Sequence, residues 1–493
     1  MMGKSMGSQN QMTGELMGVG YGFAVSQNPS WTLEQILIAS HGQLVTPAEG
    51  CCFRSISTDS RAVKPGDVFL ALSGANFDGA TFAAQAVSRG ATGLIVDHFL
   101  DLPPRVPIVL VPDTLRALGD LAHYRRGLMK KLTVVAVTGS SGKTTVKEMT
   151  ASILDRCGNT LKTMGNFNNL VGLPLSLLPV NYHHQFAVME MGMNVPGEIA
   201  RLTEIAGPDV ACINNIQPAH LAGLGSIKGV ALAKGELFAG CSESAILVVN
   251  LEDPLVRKLA KGVRQKTMSF GFRSGAEVRA TRVAARGQEG LIFTLEVAGT
   301  RARVKLNVIG RHNVLNSLAA AAMAYAAGAG MEQIVAGLEA FATGENRLGV
   351  RQLPCGLRVI DDSYNANPSS MSAALATVAM ICQDEKTVAV LGDMLELGDF
   401  SLSAHEILGA EVAQKGFGYL CAVGEYAGVV VAAARQAGMG EHNAREFASK
   451  DEAATFIREL MEEGQLRSGD LVLVKGSRGM RMEKVIAALT TNP

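Results

Sequence analysis

The stretch Gly139-Ser140-Ser141-Gly142-Lys143-Thr144-Thr145 packs two glycines, four hydroxyl side chains and a lysine into seven consecutive residues. Glycines let successive backbone N–H groups curl around phosphate oxygens, and a helix starting behind them turns its positive end toward the same anion. In that arrangement Lys143 reaches the β- and γ-phosphates of a nucleotide, and the Thr144 hydroxyl faces a Mg²⁺ ion. The general spacing GxxxxGK[ST] asks for glycine where Val137 stands, so the fit is imperfect. A glycine turn between strand and helix is often only structural. Here an apolar, β-branched run, Leu132–Val137, comes before it and a helical pattern follows. Phosphate binding is the favoured reading.

Glu190 ends the apolar run Phe186–Met189, and His220 follows the next such run, Asp209–Ile213. Strand ends at the carboxyl edge of an open parallel sheet are where ligands collect. Glu190 and His220 are therefore candidate metal ligands, although Mg²⁺ prefers oxygen. Lys234, in Ala233-Lys-Gly-Glu236, reads from composition alone as a solvated helical lysine. Asp361-Asp362-Ser-Tyr364-Asn365-Ala-Asn367-Pro368 suits turn chemistry, or equally the holding of a ribose and the stacking of a base. Asp59-Ser60-Arg61 has the groups to grip a nucleotide or diphosphate, and also those to cap a turn. In Gly165-Asn-Phe-Asn168-Asn169 the amides either position a substrate phosphate or close a loop. Asn346-Arg347 falls at a junction between two βα patterns.

The elements that must position these residues read as α/β throughout. At about 150 residues per domain, 493 residues suggest three domains. Residues 1–30, rich in Gly, Ser, Gln, Asn and Met, read as a flexible leader with no secretory signal. Residues 31–130 alternate short apolar runs with helical patterns, a small α/β domain. Residues 131–346 carry the phosphate loop and buried-strand candidates of a parallel sheet. Within them, Arg279–Val308 alternates like antiparallel strands, and an Ala-rich helix follows Gly310-Arg-His-Asn313. Residues 347–493 repeat βα units at Leu357–Asp361, Thr387–Leu391, Tyr419–Val423 and Leu471–Val474, a Rossmann-like open sheet.

Lys plus Arg and Asp plus Glu are 45 each, so no bulk positive field exists to hold a nucleic-acid backbone. Mean hydropathy is mildly positive at +0.19. The longest apolar stretches, such as Leu318–Ala327, nevertheless fall short of the roughly 18–20 residues that span a bilayer. Eight cysteines without a CxxC pair fit reduced thiols in a cytoplasmic protein.

Ten motifs, in order along nearly everything after the leader, resemble the Mur ligases of peptidoglycan synthesis. They are Thr58-Asp-Ser-Arg61, the phosphate loop, Asn166-Phe-Asn-Asn169 with Gly172-Leu-Pro174, Met189-Glu-Met-Gly192, and His220 with Ala233-Lys-Gly-Glu236. Gly310-Arg-His-Asn313, Asn346-Arg347, Asp361–Pro368, Leu391-Gly-Asp-Met-Leu-Glu-Leu-Gly398 and Lys475-Gly-Ser-Arg478 complete the set. Tyr364-Asn-Ala-Asn-Pro368 and Asp393-Met-Leu-Glu-Leu397 are similar to the branch that adds D-alanyl-D-alanine. The resemblance implies a monomeric three-domain ligase: UDP-substrate-binding, ATP-binding, then Rossmann-like. It implies ATP and Mg²⁺ as cofactors, with UDP-N-acetylmuramoyl-tripeptide and D-alanyl-D-alanine as substrates joined through an acyl phosphate. It also implies catalytic roles for Lys143, Lys234, His220 and Arg347, and Mg²⁺ ligation by Thr144, Glu190, His220 and a carbamylated Lys234. Asn313, Arg347, Asp362, Tyr364 and Asn365 would surround the nucleotide, and Asp59, Ser60 and Arg61 the uridine diphosphate, with Asn168 and Asn169 toward the substrate.

Overall fold

Three sheets, each built by a separate stretch of chain, organise the computed structural model. It describes residues 30–46, 49–74, 77–100, 106–342 and 348–490. The leader, up to residue 29, and Asn346-Arg347 lie outside the described residues.

The first sheet has five short strands in the order Gln43–Leu44, Ile108–Leu110, Gly93–Val96, Val68–Leu70, Ile56–Ser57, parallel except at its first pair. The helix Thr114–Leu128 follows it. Leu118 and Leu121 of this helix are fully buried against Trp31, Val68 and Ile95. Ala122, the next residue round the helix, joins the core of the next sheet. A single helix thus seals two cores. Arg125 on it lies 4.1 Å above the Trp31 ring, and burial pushes its guanidinium down to about 10.

The second sheet has nine strands. Thr160–Lys162, Phe186–Glu190, Thr133–Thr138, Val210–Ile213, Ile246–Asn250, Lys266–Gly271 and Val278–Ala285 run parallel in that spatial order. Leu291–Val297 and Thr300–Leu306 then continue it as antiparallel hairpins. The alternating region expected over Arg279–Val308 therefore does not form a sheet of its own. It extends the parallel one. Apolar clusters cover both faces of the parallel part, which is why its strands read as continuous hydrophobic runs.

On one face lies the helix Lys143–Leu154, whose Val146, Met149, Thr150, Ile153 and Leu154 recur at helical spacing and are buried. The Ala-rich helix Arg311–Ala326 packs beside it, with every residue from Leu318 to Ala324 at 0% exposure. Small side chains let this helix be buried all round. A third helix, Met331–Ala340, approaches so closely that a Cβ on Gly337 would fall 2.5 Å from the Ile153 Cα. The phosphate-loop helix is wedged on two sides.

The third sheet orders Gly349–Gln352, Arg358–Asp362, Leu471–Lys475, Thr387–Gly392, Tyr419–Val423 and Ala444–Phe447, antiparallel only at its first pair. Apolar clusters on both faces make it the Rossmann-like layer expected. Its carboxyl edge, after Asp362 and Lys475, meets the carboxyl edge of the second sheet after Thr138 and Glu190, across one cleft.

Candidate active site

The cleft has a volume of about 740 Å³. From the second sheet it is lined by Ser140–Thr145, Asn168, Asn169, Glu190 and His220, and from the third by Asp362, Tyr364, Asn365 and Lys475. The strand Thr133–Thr138 runs into the loop, and Gly142 turns it at φ 75° before the helix begins at Lys143. A side chain at Gly142 is excluded twice. The left-handed conformation disfavours it, and a Cβ would lie 2.5 Å from the Asn316 Oδ1 and 2.8 Å from the Asn214 Nδ2.

Amides brace the loop from behind. The Asn214 and Asn215 Nδ2 groups each donate to the Ser141 carbonyl at 3.0 Å. The Asn215 Oδ1 accepts the Ser141 N–H at 2.9 Å, and the Ser141 hydroxyl donates to the Gln217 Oε1 at 2.9 Å. A second row supports the first: Asn214 donates to Asn316, Asn316 to Asn313, and Asn313 to the Ile309 carbonyl, at 2.8–3.0 Å. Asn313 thus uses both ends of its amide to hold the scaffold while lining the cleft. From the third sheet, the Asn367 Nδ2 reaches the Ser140 carbonyl at 3.3 Å. The Ser140 and Ser141 N–H groups are spent on Asn215, so the bracing fixes the loop while the N–H groups at the helix start, from Gly142 on, are the ones placed to meet an anion.

Lys143 donates from Nζ to the Gly139 carbonyl at 2.8 Å, across the mouth of its own loop. Beside it the Thr144 hydroxyl donates to the Glu190 Oε2 at 2.8 Å, and the Asn168 Nδ2 donates to Oε1, also at 2.8 Å. Glu190 is only 2% exposed. Both carboxyl oxygens are thereby held in place beside the loop. Asn169 instead accepts the N–H groups of Val171 and Gly172 and starts the next helix.

Lys234, on the helix Ile227–Gly240, is 1% exposed, and no carboxylate pairs with it among the described residues. Burial, then the charge of Lys143, pushes its amine well below the usual lysine range. The solvated lysine that composition favours is not what the fold builds. Its neighbour Glu236 accepts the N–H groups of Gly197 and Ala200, capping the helix Glu198–Ala206.

His220 donates from Nδ1 to the Glu396 Oε2, 2.7 Å away, a contact that holds the Glu396 carboxyl below its usual range. Across the cleft Lys475 donates to the Asp362 Oδ2 at 2.5 Å and to the Asn365 carbonyl at 2.9 Å. Asp361 faces away, joined to Arg351 and Ser363. Burial and the nearby Lys475 push His312 down to about 4, a neutral ring at the cleft wall.

The residues that fit a Mg²⁺ ion are oxygen donors first, Thr144 and Glu190, which are hydrogen-bonded to each other; His220 lines the same cleft. No group of three or more His, Cys, Asp or Glu side chains gathers to form a metal cage among the described residues. Mg²⁺ typically keeps several waters and binds through one or two carboxylates plus substrate phosphates. The donor set suits a phosphate-bound ion.

Asp59, Ser60 and Arg61 are not brought into this cleft. Arg61 grips Asp59 through two hydrogen bonds at 2.9 Å on the surface of the first sheet's unit. The Arg61 side chain and N–H hold the Asp59 carboxyl at about 2. Ser60 donates to Gln85 at 2.8 Å.

Family models match three stretches: "Mur ligase family, catalytic domain" over 53–126, "Mur ligase middle domain" over 137–324, and "Mur ligase, glutamate ligase domain" over 346–478. The UDP-N-acetylmuramoyl-tripeptide–D-alanyl-D-alanine ligase of Escherichia coli K12 is 39% identical over 465 residues, 94% of this chain and 99% of that protein. The chain belongs to the Mur ligase family. The Bacillus subtilis ligase of the same name is 33% identical over 94% of this chain and 99% of its own. A crystal structure of MurF from Acinetobacter baumannii superimposes with TM-score 0.87 at 37% identity, covering 94% of this chain and 100% of that one. MurF from Thermotoga maritima, solved in complex with ADP, gives 0.78 at 29% identity over 89% and 97%.

Several residues that shape this Mur ligase's cleft had no role assigned from sequence. Gln217 and Asn316 brace the loop, Lys475 pairs with Asp362, and Glu396 reaches His220. The motifs containing Lys475 and Glu396 were visible. Their partners were not, because the residues that meet are 113 and 176 positions apart.

Proposed function

We propose that the chain is an ATP-dependent amide-bond ligase that joins D-alanyl-D-alanine to UDP-N-acetylmuramoyl-tripeptide. The observation that carries this reading is the meeting, in one cleft, of a braced phosphate loop and the Thr144–Glu190 pair, with the buried Lys234 behind the lining and near enough to feel the charge of Lys143.

A carboxylate does not condense with an amine at neutral pH, because oxygen leaves poorly. The tripeptide carboxylate oxygen attacks the γ-phosphorus, the bond to the β-phosphate oxygen breaks, and ADP departs. The amine then attacks the acyl carbon, and phosphate leaves carrying the former carboxylate oxygen. Phosphoryl transfer needs positioning and charge neutralisation more than covalent help. The N–H groups of Gly142–Thr145, at the start of the helix, would seat the phosphates, and Lys143, released from the Gly139 carbonyl, would meet their charge.

Thr144, Glu190 and His220 would hold Mg²⁺, which would supply charge neutralisation for the transferring phosphoryl group. Lys234 is suited to carbamylation, because a neutral amine attacks carbon dioxide, forming an N–C bond and releasing a proton. The carbamate would turn a buried cation into an anion. Asp362, Tyr364 and Asn365 would face the nucleoside, together with Asn313 and Arg347. Asp59, Ser60 and Arg61 would serve the uridine-diphosphate end. We place the enzyme in the cytoplasm as a monomer, with domains at 31–130, 131–346 and 347–493. The described cysteines are all free thiols. No described helix is long and apolar enough to cross a membrane.

Phosphate release with the UDP-muramoyl tripeptide and a panel of amino acids and dipeptides tests the substrate assignment. D-alanyl-D-alanine should give the fastest turnover. Preference for a single amino acid, or hydrolysis indifferent to the panel, would contradict it.

A further inference from the structure

Among the described residues, seven other than glycine hold positive φ, and two of them touch across the cleft. His220, at 54°, precedes the short helix Leu221–Leu224, which follows the strand Val210–Ile213 of the second sheet, and Glu396, at 65°, follows the strand Thr387–Gly392 of the third. Their contact has two parts. The His220 Nδ1 donates to the Glu396 Oε2 at 2.7 Å, and the Ala222 N–H donates to the Glu396 carbonyl at 3.2 Å. An ionised carboxylate only accepts, so the ring proton sits on Nδ1 and a neutral ring keeps its lone pair on Nε2.

The loop carrying Glu396 is pinned at every neighbouring residue. The Asp393 carboxylate accepts the N–H groups of Glu425 and Tyr426 at 2.8 and 3.1 Å. The Met394 N–H donates to the His405 Nε2 at 3.0 Å, and the Leu395 N–H to the Ser477 hydroxyl at 2.9 Å. Met394 and Leu397 are buried, whereas the Glu396 side chain is 61% exposed. An ion pair that exposed adds little binding energy. Its geometry is fixed all the same, since strained backbone persists only where the surroundings over-determine it.

We propose that Glu396 is a positioning residue for His220: it reaches from the third sheet's unit to fix the proton on Nδ1, leaving Nε2 free to ligate, so that the ligand-competent ring exists only when the two units meet. The functional part rests on the reading of His220 as a metal ligand. The contact itself does not.

The test combines a spectroscopic and a kinetic readout on the full-length enzyme with Glu396→Ala and Glu396→Gln. In ¹⁵N-histidine spectra, with the His220 signal identified by its loss in His220→Ala, wild type and Glu396→Gln should show the Nδ1–H tautomer and Glu396→Ala should lose it. The kcat should fall in Glu396→Ala by about 10–100-fold, the usual effect of removing the partner that orients a metal-ligating histidine. Glu396→Gln should recover most of that loss, because its amide oxygen still accepts, and KM for ATP should stay near wild type. In a His220→Ala background, Glu396→Ala should add nothing. An unchanged tautomer in Glu396→Ala, or an equal loss with and without His220, would overturn the proposal. A lost tautomer with unaltered kcat would uphold the contact and remove His220 from the reaction.

Discussion

Lys143 and Lys234 lie close enough for one charge to act on the other, yet burial makes them different chemical groups. Lys143 lines the open cleft and holds a loop carbonyl in the position a phosphate would take over. Replacing it with alanine should leave the fold intact by circular dichroism and lower kcat by about 10²–10³-fold, the scale of losing one preorganised electrostatic contact. Lys234→Ala should lose activity on a similar scale. Short carboxylates should restore part of it, because they supply the anion that a carbamate on Lys234 would have provided. Failure of rescue, with wild-type Lys234 unmodified by mass, would count against the carbamate. At this scale the phosphate loop was legible because its chemistry is contiguous in sequence. The charge state of Lys234 was not, since it depends on how the helix Ile227–Gly240 is packed and on the charge of Lys143, 91 positions away.

The phosphate-loop helix is held by close backbone approach as well as by its buried side chains. Gly337→Ala gains helix propensity of up to about 1 kcal/mol. It also forces a Cβ to within 2.8 Å of two Ile153 backbone atoms, which cannot swing aside as a side chain would. The clash should win, with a net loss of about 1–3 kcal/mol in urea unfolding. A more stable variant would show that this interface is loose. The third sheet is tied at its start by Arg358 and Glu385, 2.6 Å apart. The N–H of Gln383, then Arg358, lower the Glu385 carboxyl from 4.5 to about 2. Because the folded value is the lower one, this pair stabilises fully above about pH 4.5, and its contribution fades as the pH falls toward 2. Glu385→Gln should flatten the pH dependence of the urea midpoint across that window, and an unchanged slope would refute the pairing. Buried parallel strands were legible because both faces are covered and their residues are apolar throughout. The strands Thr160–Lys162 and Ala444–Phe447 escaped notice because each is a short sheet edge with exposed polar residues.

In the whole molecule, the groups lining the cleft are divided between two sheets, and the contacts that join the two sides include Asn367 to Ser140 and Glu396 to His220. Motif order along the chain made the three-part architecture legible. How the two carboxyl edges face each other was not, because nothing local encodes an approach between residues more than 170 positions apart. A site assembled by two units can admit large substrates when they separate and exclude water when they meet, which protects an activated acid from hydrolysis. The most direct check follows the oxygen atoms. With both oxygens of the tripeptide's free carboxylate labelled as ¹⁸O, and with ATP and D-alanyl-D-alanine present, each released phosphate should carry one ¹⁸O, and the new amide should keep the other. Unlabelled phosphate, released while the peptide retains both labels, would mean that water rather than the acid takes the phosphoryl group, and the ligase account would fail.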